Sequence, residues 1–208
     1  MDDTERVSLL IEVGEDMPVD KYEFLEWYKL NPLVRADLMS VTEGVRPGAK
    51  LELWRFQENH PLYYLPQQQV LENCLKRFVL SWVEHEGVFY VSSTRAHLDH
   101  FLHKECTEGE FLGYPACCIT AFEEGCEKSL AKLDVGPAVK FWRKTKQHHN
   151  LLFGCLLHIP CDACCEPSIA MAQAVKDVLE KYDVGALLAL SELNQGAFYE
   201  FHFRYPEK

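Results

Sequence analysis

Two short cysteine-bearing segments bound the stretch around which the rest of this chain is organised. The first reads Gly113-Tyr114-Pro115-Ala116-Cys117-Cys118, and the second reads His158-Ile159-Pro160-Cys161-Asp162-Ala163-Cys164-Cys165-Glu166-Pro167-Ser168. Together they hold five of the nine cysteines in the 208-residue chain. Each segment places a proline shortly before a cysteine and next to a run with helical periodicity. We therefore expect the two segments to meet in space and form one thiolate site.

Prolines place both segments at the beginnings of helices. Pro115 suits the first position of a helix, and Pro167 is best tolerated in the first turn of another. Cys117 and Cys118 then fall in the first turn of one helix, and Cys165 falls at the start of the other. The free N–H groups and partial positive charge of a helix N-terminus stabilise a thiolate. Thiolates are the ligands that soft metals and iron–sulfur clusters require.

We expect Cys118, Cys161 and Cys165 to be the metal ligands. Cys161 and Cys164 also form a Cys-x-x-Cys, a spacing that commonly chelates one metal ion. Cys161 and Cys165 are close enough in sequence to share one ion or cluster, and His158 is expected either as the fourth ligand or as a residue that supports the ligands. Adjacent cysteines seldom both bind one ion, so we expect one ligand and one free or supporting thiol in the Cys117–Cys118 pair. The cofactor is predicted to be an iron–sulfur cluster or a zinc ion.

The two segments resemble an uncharacterised prokaryotic family that is known only as a domain of unknown function. Its pattern Gly-Tyr-Pro-x-Cys-Cys-x-x-x-Phe is matched by Gly113 to Phe122, and His-x-Pro-Cys-x-x-x-Cys-x-x-Ser is matched by His158 to Ser168. The resemblance leaves Cys164 outside the pattern and implies no particular reaction. It implies that the site contains Cys117, Cys118, His158, Cys161, Cys165 and Ser168.

The leading functional hypothesis is an enzyme that acts on a small molecule. Three protein ligands would leave one iron of a cluster open to a substrate heteroatom, as a catalytic zinc keeps an open position. Cys117 or Tyr114 would be the neighbouring acid, base or nucleophile. A basic helix face could bind an anionic substrate in this acidic protein, although such a face is more often simply solvated. The candidates for substrate binding are Ser168, Lys140, Arg143 and Lys144.

Other interpretations use the same residues differently. A non-catalytic protein could use zinc only to hold its helices together. A metal-free thiol enzyme could use Cys117 as its nucleophile and His158 as the base. Clustered cysteines can also be plain buried apolar residues, which is how we interpret Cys74 and Cys155. A weaker candidate metal site consists of the histidines around Asp99 on a predicted helix, namely His97, His100 and His103.

The remaining sequence predicts an α+β fold, with an antiparallel sheet from the N-terminal half and a mainly helical, cysteine-rich C-terminal half. The clearest local prediction is a β-hairpin, in which residues 78–83 and 88–91 flank the loop Glu84-His85-Glu86-Gly87. Thr94 is the predicted cap of a following helix. We expect a single domain over residues 1–208, divided into a mixed half (1–105) and a mainly helical half (106–208) that carries the site.

Further elements are predicted with less distinctive patterns. Three more strands are expected, over residues 6–13, 51–56 and 198–203. A helix that begins after Asp20 is expected to stop at Asn31-Pro32. Other helices are expected over residues 67–76, on the basic stretch after Gly136-Pro137, over 168–182 and over 184–193.

Charge and hydropathy limit the classes of partner. The net charge of −11 argues against nucleic acid, because phosphate neutralisation needs surplus lysine and arginine. The acidic N-terminus does not resemble a signal peptide, and no apolar stretch approaches the roughly 20 residues that span a bilayer. We therefore expect a cytoplasmic protein with no membrane partner, in which reduced thiols are available as ligands.

Overall fold

The described part of the chain combines a small antiparallel sheet with helices that surround it. The structure is a computed structural model, and it describes residues 21–53, 64–129, 155, 158, 160, 161 and 165–192. Its three strands pair in the order β1-β3-β2, and both pairings are antiparallel. The α+β class and the origin of the sheet in the N-terminal half are confirmed.

The order of elements separates the sheet from the site. The strands are β1 (Gly48–Glu52), β2 (Ser81–His85) and β3 (Val88–Ser92). Beyond β3 all the described elements are helices, as predicted for the C-terminal half. The helices are α1 (Leu25–Lys29), α2 (Pro32–Thr42), α3 (Tyr64–Arg77), α4 (Arg95–Leu102), α5 (Glu108–Phe111), α6 (Ala116–Ser129) and α7 (Glu166–Tyr182), followed by helical residues 184–192.

The predicted hairpin is confirmed, but its first strand begins later than predicted. Strands β2 and β3 join through the two-residue turn Glu86-Gly87, whose φ values of 51° and 80° are the positive values that a tight hairpin turn needs. Phe78 belongs instead to the end of α3, because its N–H donates to the carbonyl of Cys74 over 3.0 Å. Because the Phe78 N–H is used at the end of the helix, it is not available to pair with a neighbouring strand. Strand pairing starts only at Ser81.

The predicted helix stop at Asn31-Pro32 is also a helix start. The Asn31 side chain accepts a hydrogen bond from the Leu33 N–H over 2.9 Å, and Pro32 occupies the first helical position of α2. Asparagine at the cap and proline at the first position both favour an N-terminus. The chain therefore ends α1 at Lys29 and begins α2 almost at once. The helix α2 was not among the elements that the sequence pattern indicated.

The main core lies between the sheet and helices α2, α3 and α7. From α7 it receives Ala172, Val175 and Leu179, which are at most 1% exposed. Cys74 and Cys155 are fully buried in this core, as predicted, and burial raises the pKa of each thiol. These two cysteines are therefore packing residues.

A buried ion pair joins α2 to the C-terminal end of α7. Arg35 Nε lies 3.2 Å from Asp183 Oδ2, and both side chains are less than 10% exposed. Asp183 Oδ1 also accepts a hydrogen bond from the Ala186 N–H over 2.9 Å, which caps helix 184–192. The same aspartate thus fixes both helices, and α7 leads back to the cysteine site at its other end.

A second apolar cluster holds the connection that precedes α6. Leu98, Phe111 and Leu112 are buried there, and Tyr90 and Tyr114 pack against them. The cap predicted for Thr94 is confirmed, since its side chain accepts from the His97 N–H and begins the helix that carries Leu98. This cluster anchors the chain immediately before the first cysteine segment.

Gly113 allows that connection to pass close to the sheet. Its φ is +74°, and a Cβ atom at this position would lie 2.4 Å from Pro47 Cδ. A side chain here would therefore be strained and would also clash with the segment leading into β1. Glycine is required for Tyr114 and Pro115 to approach the site along this path.

Several predictions fall on residues outside those that the structure describes. They are the strands at 6–13 and 198–203 and the basic helix with Lys140, Arg143 and Lys144. The strand predicted over 51–56 overlaps β1, which ends at Glu52. Among the described helices, none is long and apolar enough to cross a membrane.

Candidate metal centre

The first cysteine pair lies in the first turn of α6, as predicted. Pro115 stands one residue before the helix, and its carbonyl accepts hydrogen bonds from the N–H groups of Cys118 (2.8 Å) and Ile119 (3.1 Å). The helix turns Cys118 inward, where it is 3% exposed, and leaves Cys117 exposed. Adjacent residues on one helix thus present one buried sulfur and one exposed sulfur.

The third and fourth cysteines lie at the start of α7. Cys165 is the N-cap residue of this helix, and its carbonyl accepts from the Ile169 N–H over 3.0 Å. Pro167 follows in the first turn, so the helix begins where the sequence predicted. Cys165 is 8% exposed, whereas Cys161 in the preceding loop is exposed. This half of the site therefore repeats the pairing of one buried and one exposed cysteine.

The four sulfurs form one compact group. The Sγ atoms of Cys117, Cys118, Cys161 and Cys165 all lie within 4.8 Å of one another. The Cys165 sulfur is 3.6 Å from those of Cys117 and Cys118, which are themselves 3.9 Å apart. Because a disulfide bond is only about 2.05 Å long, these are free thiols held in contact. The predicted meeting of the two segments is what the structure shows.

These spacings suit a single tetrahedral ion. Zinc bound by four thiolates at about 2.3 Å places neighbouring sulfurs about 3.8 Å apart, from the geometry of a tetrahedron. The three separations among Cys117, Cys118 and Cys165, which are 3.6 to 3.9 Å, match that edge, and the sulfur of Cys161 lies within 4.8 Å of the other three. An iron–sulfur cluster places ligands on different irons with sulfides between them, which moves the cysteine sulfurs farther apart. The four sulfurs are therefore close enough together to hold one metal ion.

Hydrogen-bond donors surround the two buried sulfurs. The backbone N–H of Cys161 donates to Cys118 Sγ over 3.3 Å. The hydroxyl of Ser168, which is 1% exposed, lies 3.2 Å from the sulfurs of both Cys118 and Cys165. Donors of this kind stabilise bound thiolates and orient the ligands.

His158 lies behind this serine. Its Nε2 is 2.8 Å from Ser168 Oγ, and its ring stacks on Tyr114 with the centroids 4.9 Å apart. Burial lowers the pKa of His158 to about 4, so the imidazole is neutral at neutral pH. Burial also raises the pKa of the Tyr114 hydroxyl. The structure thus places His158 beside the ligand support, and Tyr114 beside His158.

The thiols differ in how readily they ionise. Burial opposes ionisation of Cys165, but hydrogen bonds from the Ser168 hydroxyl and backbone N–H outweigh it and lower the pKa to about 7. Desolvation and then the neighbouring sulfurs raise the pKa of Cys161 to about 12. Desolvation also raises the pKa of Cys118, against the hydrogen bond from Ser168. One thiolate forms easily, and further negative charge in so small a volume calls for a cation.

The predicted histidine–carboxylate site has other partners. His97 Nε2 lies 2.9 Å from the carbonyl of Phe111, and its ring stacks on that side chain. His100 Nδ1 lies 2.6 Å from Glu105 Oε2. Within the described residues, the four cysteines are the one group of ligand side chains placed to hold an ion. Cys164 and the three basic residues proposed for substrate binding lie outside those residues.

The structure adds contacts that the sequence did not specify for two of the expected site residues. Cys117 joins the same group of sulfurs as Cys118, because the first turn of a helix leaves both side chains within reach of the α7 start. Ser168, which is a predicted substrate-binding residue, contacts the sulfurs of Cys118 and Cys165. Its position three residues after the N-cap Cys165 was a usable signal, since that residue commonly reaches back to the cap.

Comparison with known proteins adds no name to this geometry. No protein-family model, curated protein or solved structure matches the chain. The chemistry of the site is therefore derived from its own residues.

Proposed function

We propose that this protein binds one zinc ion through Cys117, Cys118, Cys161 and Cys165. The observation that carries the proposal is the mutual approach of the four sulfurs to within 4.8 Å. The separations among the sulfurs of Cys117, Cys118 and Cys165 fit the edge of a tetrathiolate tetrahedron better than the wider spacing around an iron–sulfur cluster. Zinc also suits a set of four thiolates chemically, because soft sulfur ligands in a tetrahedral arrangement select it.

The proposed ion joins two parts of the chain that are distant in sequence. Two ligands come from the first turn of α6, and two come from the approach to α7. The negative ligands also lie at two helix N-termini, where the helix dipoles favour negative charge. Zinc would therefore fix the relative position of α6 and α7 near these starts.

A chemical role is the second candidate, and the exposure of two ligands favours it. Cys117 and Cys161 are exposed, so a small molecule in solution can reach their sulfurs. If zinc is bound, an exposed thiolate ligand would be able to attack an alkyl electrophile, forming a carbon–sulfur bond while the leaving group departs with the electron pair of the bond that breaks. In this second candidate function the protein is an enzyme, and Cys117 is its reactive group.

Metal analysis of the purified full-length chain tests the proposal. We expect one zinc per chain after purification under reducing conditions, and a cobalt-substituted protein with the intense visible bands of a tetrahedral thiolate site. Replacing each of the four cysteines singly by serine should weaken zinc binding. The matched control is Cys106→Ser, because Cys106 packs near Leu98 and Phe111 and not at the site.

Two results would contradict this proposal. A brown protein that contains iron and acid-labile sulfide would identify a cluster instead of zinc. A colourless protein that binds neither zinc nor cobalt, but has one rapidly alkylated cysteine, would favour the metal-free thiol enzyme.

A further inference from the structure

The hydroxyl of Ser168 has three possible hydrogen-bond partners. Ser168 Oγ is within hydrogen-bond distance of three atoms: Cys118 Sγ at 3.2 Å, Cys165 Sγ at 3.2 Å and His158 Nε2 at 2.8 Å. A hydroxyl has one proton to donate and can accept from others. The serine can therefore donate either to the sulfurs or to the imidazole.

The two buried sulfurs discriminate between these two arrangements. Among the described residues, His158 Nδ1 has no hydrogen-bond partner in either tautomer, so it favours neither. If Ser168 donated to Nε2, the lone pairs of its oxygen would face two thiolates of the proposed site with no proton between them. If Nε2–H donates to Ser168, the serine proton is free to reach a thiolate.

We infer that His158 and Ser168 form a hydrogen-bond relay that supports the two buried ligands. His158 Nε2–H donates to Ser168 Oγ, and the Ser168 hydroxyl donates to Cys165 Sγ or Cys118 Sγ. His158 is then a positioning residue and not a ligand, and Tyr114 holds its ring by stacking. This inference rests on the proposed metal site and gives its two buried sulfurs a hydrogen-bond donor.

The relay makes the site asymmetric. Cys118 and Cys165 receive donors and are buried, so they are the anchored ligands. Cys117 and Cys161 are exposed and receive no donor from Ser168 in the described contacts. Hydrogen bonds withdraw electron density from a thiolate, so the relay should change the electronic properties of the bound metal as well as its affinity.

Variants of both residues separate the hydrogen bonds from packing. Ser168→Ala removes the donor to the sulfurs with little change in volume. His158→Phe keeps an aromatic ring against Tyr114 but loses the donor to Ser168. His158→Gln loses the ring but retains an N–H that can reach Ser168 Oγ, and it is the matched control.

Titration of the full-length chain with zinc and with cobalt, against a competing chelator, measures the effect. We expect Ser168→Ala and His158→Phe to bind zinc about 10- to 100-fold more weakly, as is typical when a support of a metal ligand is lost. His158→Gln should stay within a few-fold of the natural protein. The sulfur-to-cobalt charge-transfer bands of Ser168→Ala and His158→Phe should move to longer wavelength, because the thiolates become more electron-donating.

The outcomes distinguish this relay from the metal site itself. If the natural protein binds neither metal, the proposed function fails and the relay fails with it. If it binds zinc and His158→Phe binds equally well with unchanged cobalt bands, the relay is wrong and the metal site stands. If a variant binds weakly with unshifted cobalt bands, the loss is one of packing, which also overturns the relay.

Discussion

Cys117 and Cys118 are neighbours in sequence but differ in exposure and in bonding. Cys118 is 3% exposed, and its sulfur accepts a hydrogen bond from the backbone N–H of Cys161, whereas Cys117 is exposed. A similar difference separates Cys165 from Cys161. Reactivity toward reagents in solution depends on access to the sulfur as well as on its ionisation. Cys117 and Cys161 are therefore the two cysteines of the site that reagents in solution reach most easily.

Limited alkylation of the zinc-loaded protein should modify Cys117 and Cys161 before Cys118 and Cys165. Mass spectrometry of digested peptides after short exposure to iodoacetamide measures the order. Cys74 is fully buried in the main core and serves as the unreactive internal control. Earlier modification of Cys118 or Cys165 than of the exposed pair would contradict the assigned orientation of the site.

Zinc affinity should increase with pH. The pKa values of Cys161, at about 12, and of Cys118 are raised, so both thiols are protonated near neutrality in the metal-free chain and must release protons on binding. Each released proton contributes about a tenfold gain in affinity per pH unit. Cys165, with a pKa of about 7, adds another released proton only below that pH, so the dependence should be steeper there.

Chelator competition at several pH values on either side of 7 measures this dependence. The variant Cys165→Ser should lose the steeper part of the profile along with its affinity. An affinity that does not change with pH would show that the ligands are already ionised in the metal-free protein.

At the scale of elements, the connection from α5 to α6 sets where the first two sulfurs lie. A capping box between Thr107 and Glu110 stabilises the N-terminus of the short helix α5. Gly109 of this helix packs closely against Ile119 of α6. Gly113 then carries the chain past Pro47 with a positive φ. The helix start at Cys117 is thus held by contacts on both sides of it.

Replacing Gly113 by alanine should destabilise the fold and weaken zinc binding. The backbone strain at a positive φ and the clash with Pro47 together should cost about 1–3 kcal/mol in the free energy of unfolding. Gly44→Ala is the matched control, because Gly44 has a φ of +70° but nothing within 4 Å of the added Cβ. Urea unfolding and zinc titration of both variants measure the effect. An equal loss in the two would show that close packing at Gly113 is unimportant.

At the scale of the whole molecule, the site and the main core meet through α7. Residues along one face of α7 fill the core, while Cys165 caps its N-terminus and Asp183 pairs with Arg35 beyond its C-terminus. A metal ion bound at the N-terminus of α7 would therefore be linked, through this helix, to the main core beside the sheet. A ligand that binds only the folded state stabilises the fold by an amount that grows with the logarithm of the free ligand concentration above the dissociation constant.

Zinc should therefore raise the stability of the entire chain. At a free zinc concentration about a thousand times the dissociation constant, the expected gain is about 4 kcal/mol. Thermal unfolding of the full-length protein with zinc and with chelator measures it. The gain should be lost in Cys118→Ser and kept in Cys106→Ser. An unchanged melting temperature in the natural protein would show that zinc does not bind preferentially to the folded chain.

The sequence alone determined the features that depend on neighbouring residues. Prolines 115 and 167 predicted both helix starts, Thr94 predicted its cap, and the alternating residues around Glu86-Gly87 predicted the hairpin. These signals are local, because a cap or a turn is made by residues a few positions apart. The α+β class followed from them.

Only the tertiary structure decided which of the candidate residues meet. Whether Cys117 joins Cys118 in one group, and whether Ser168 faces the sulfurs or the solvent, depends on how α6 and α7 are packed. That packing is fixed by contacts distant in sequence, such as Gly113 with Pro47 and Arg35 with Asp183. No local pattern encodes such contacts, so the sequence identified the thiolate site while the fold selected its ligands and their support.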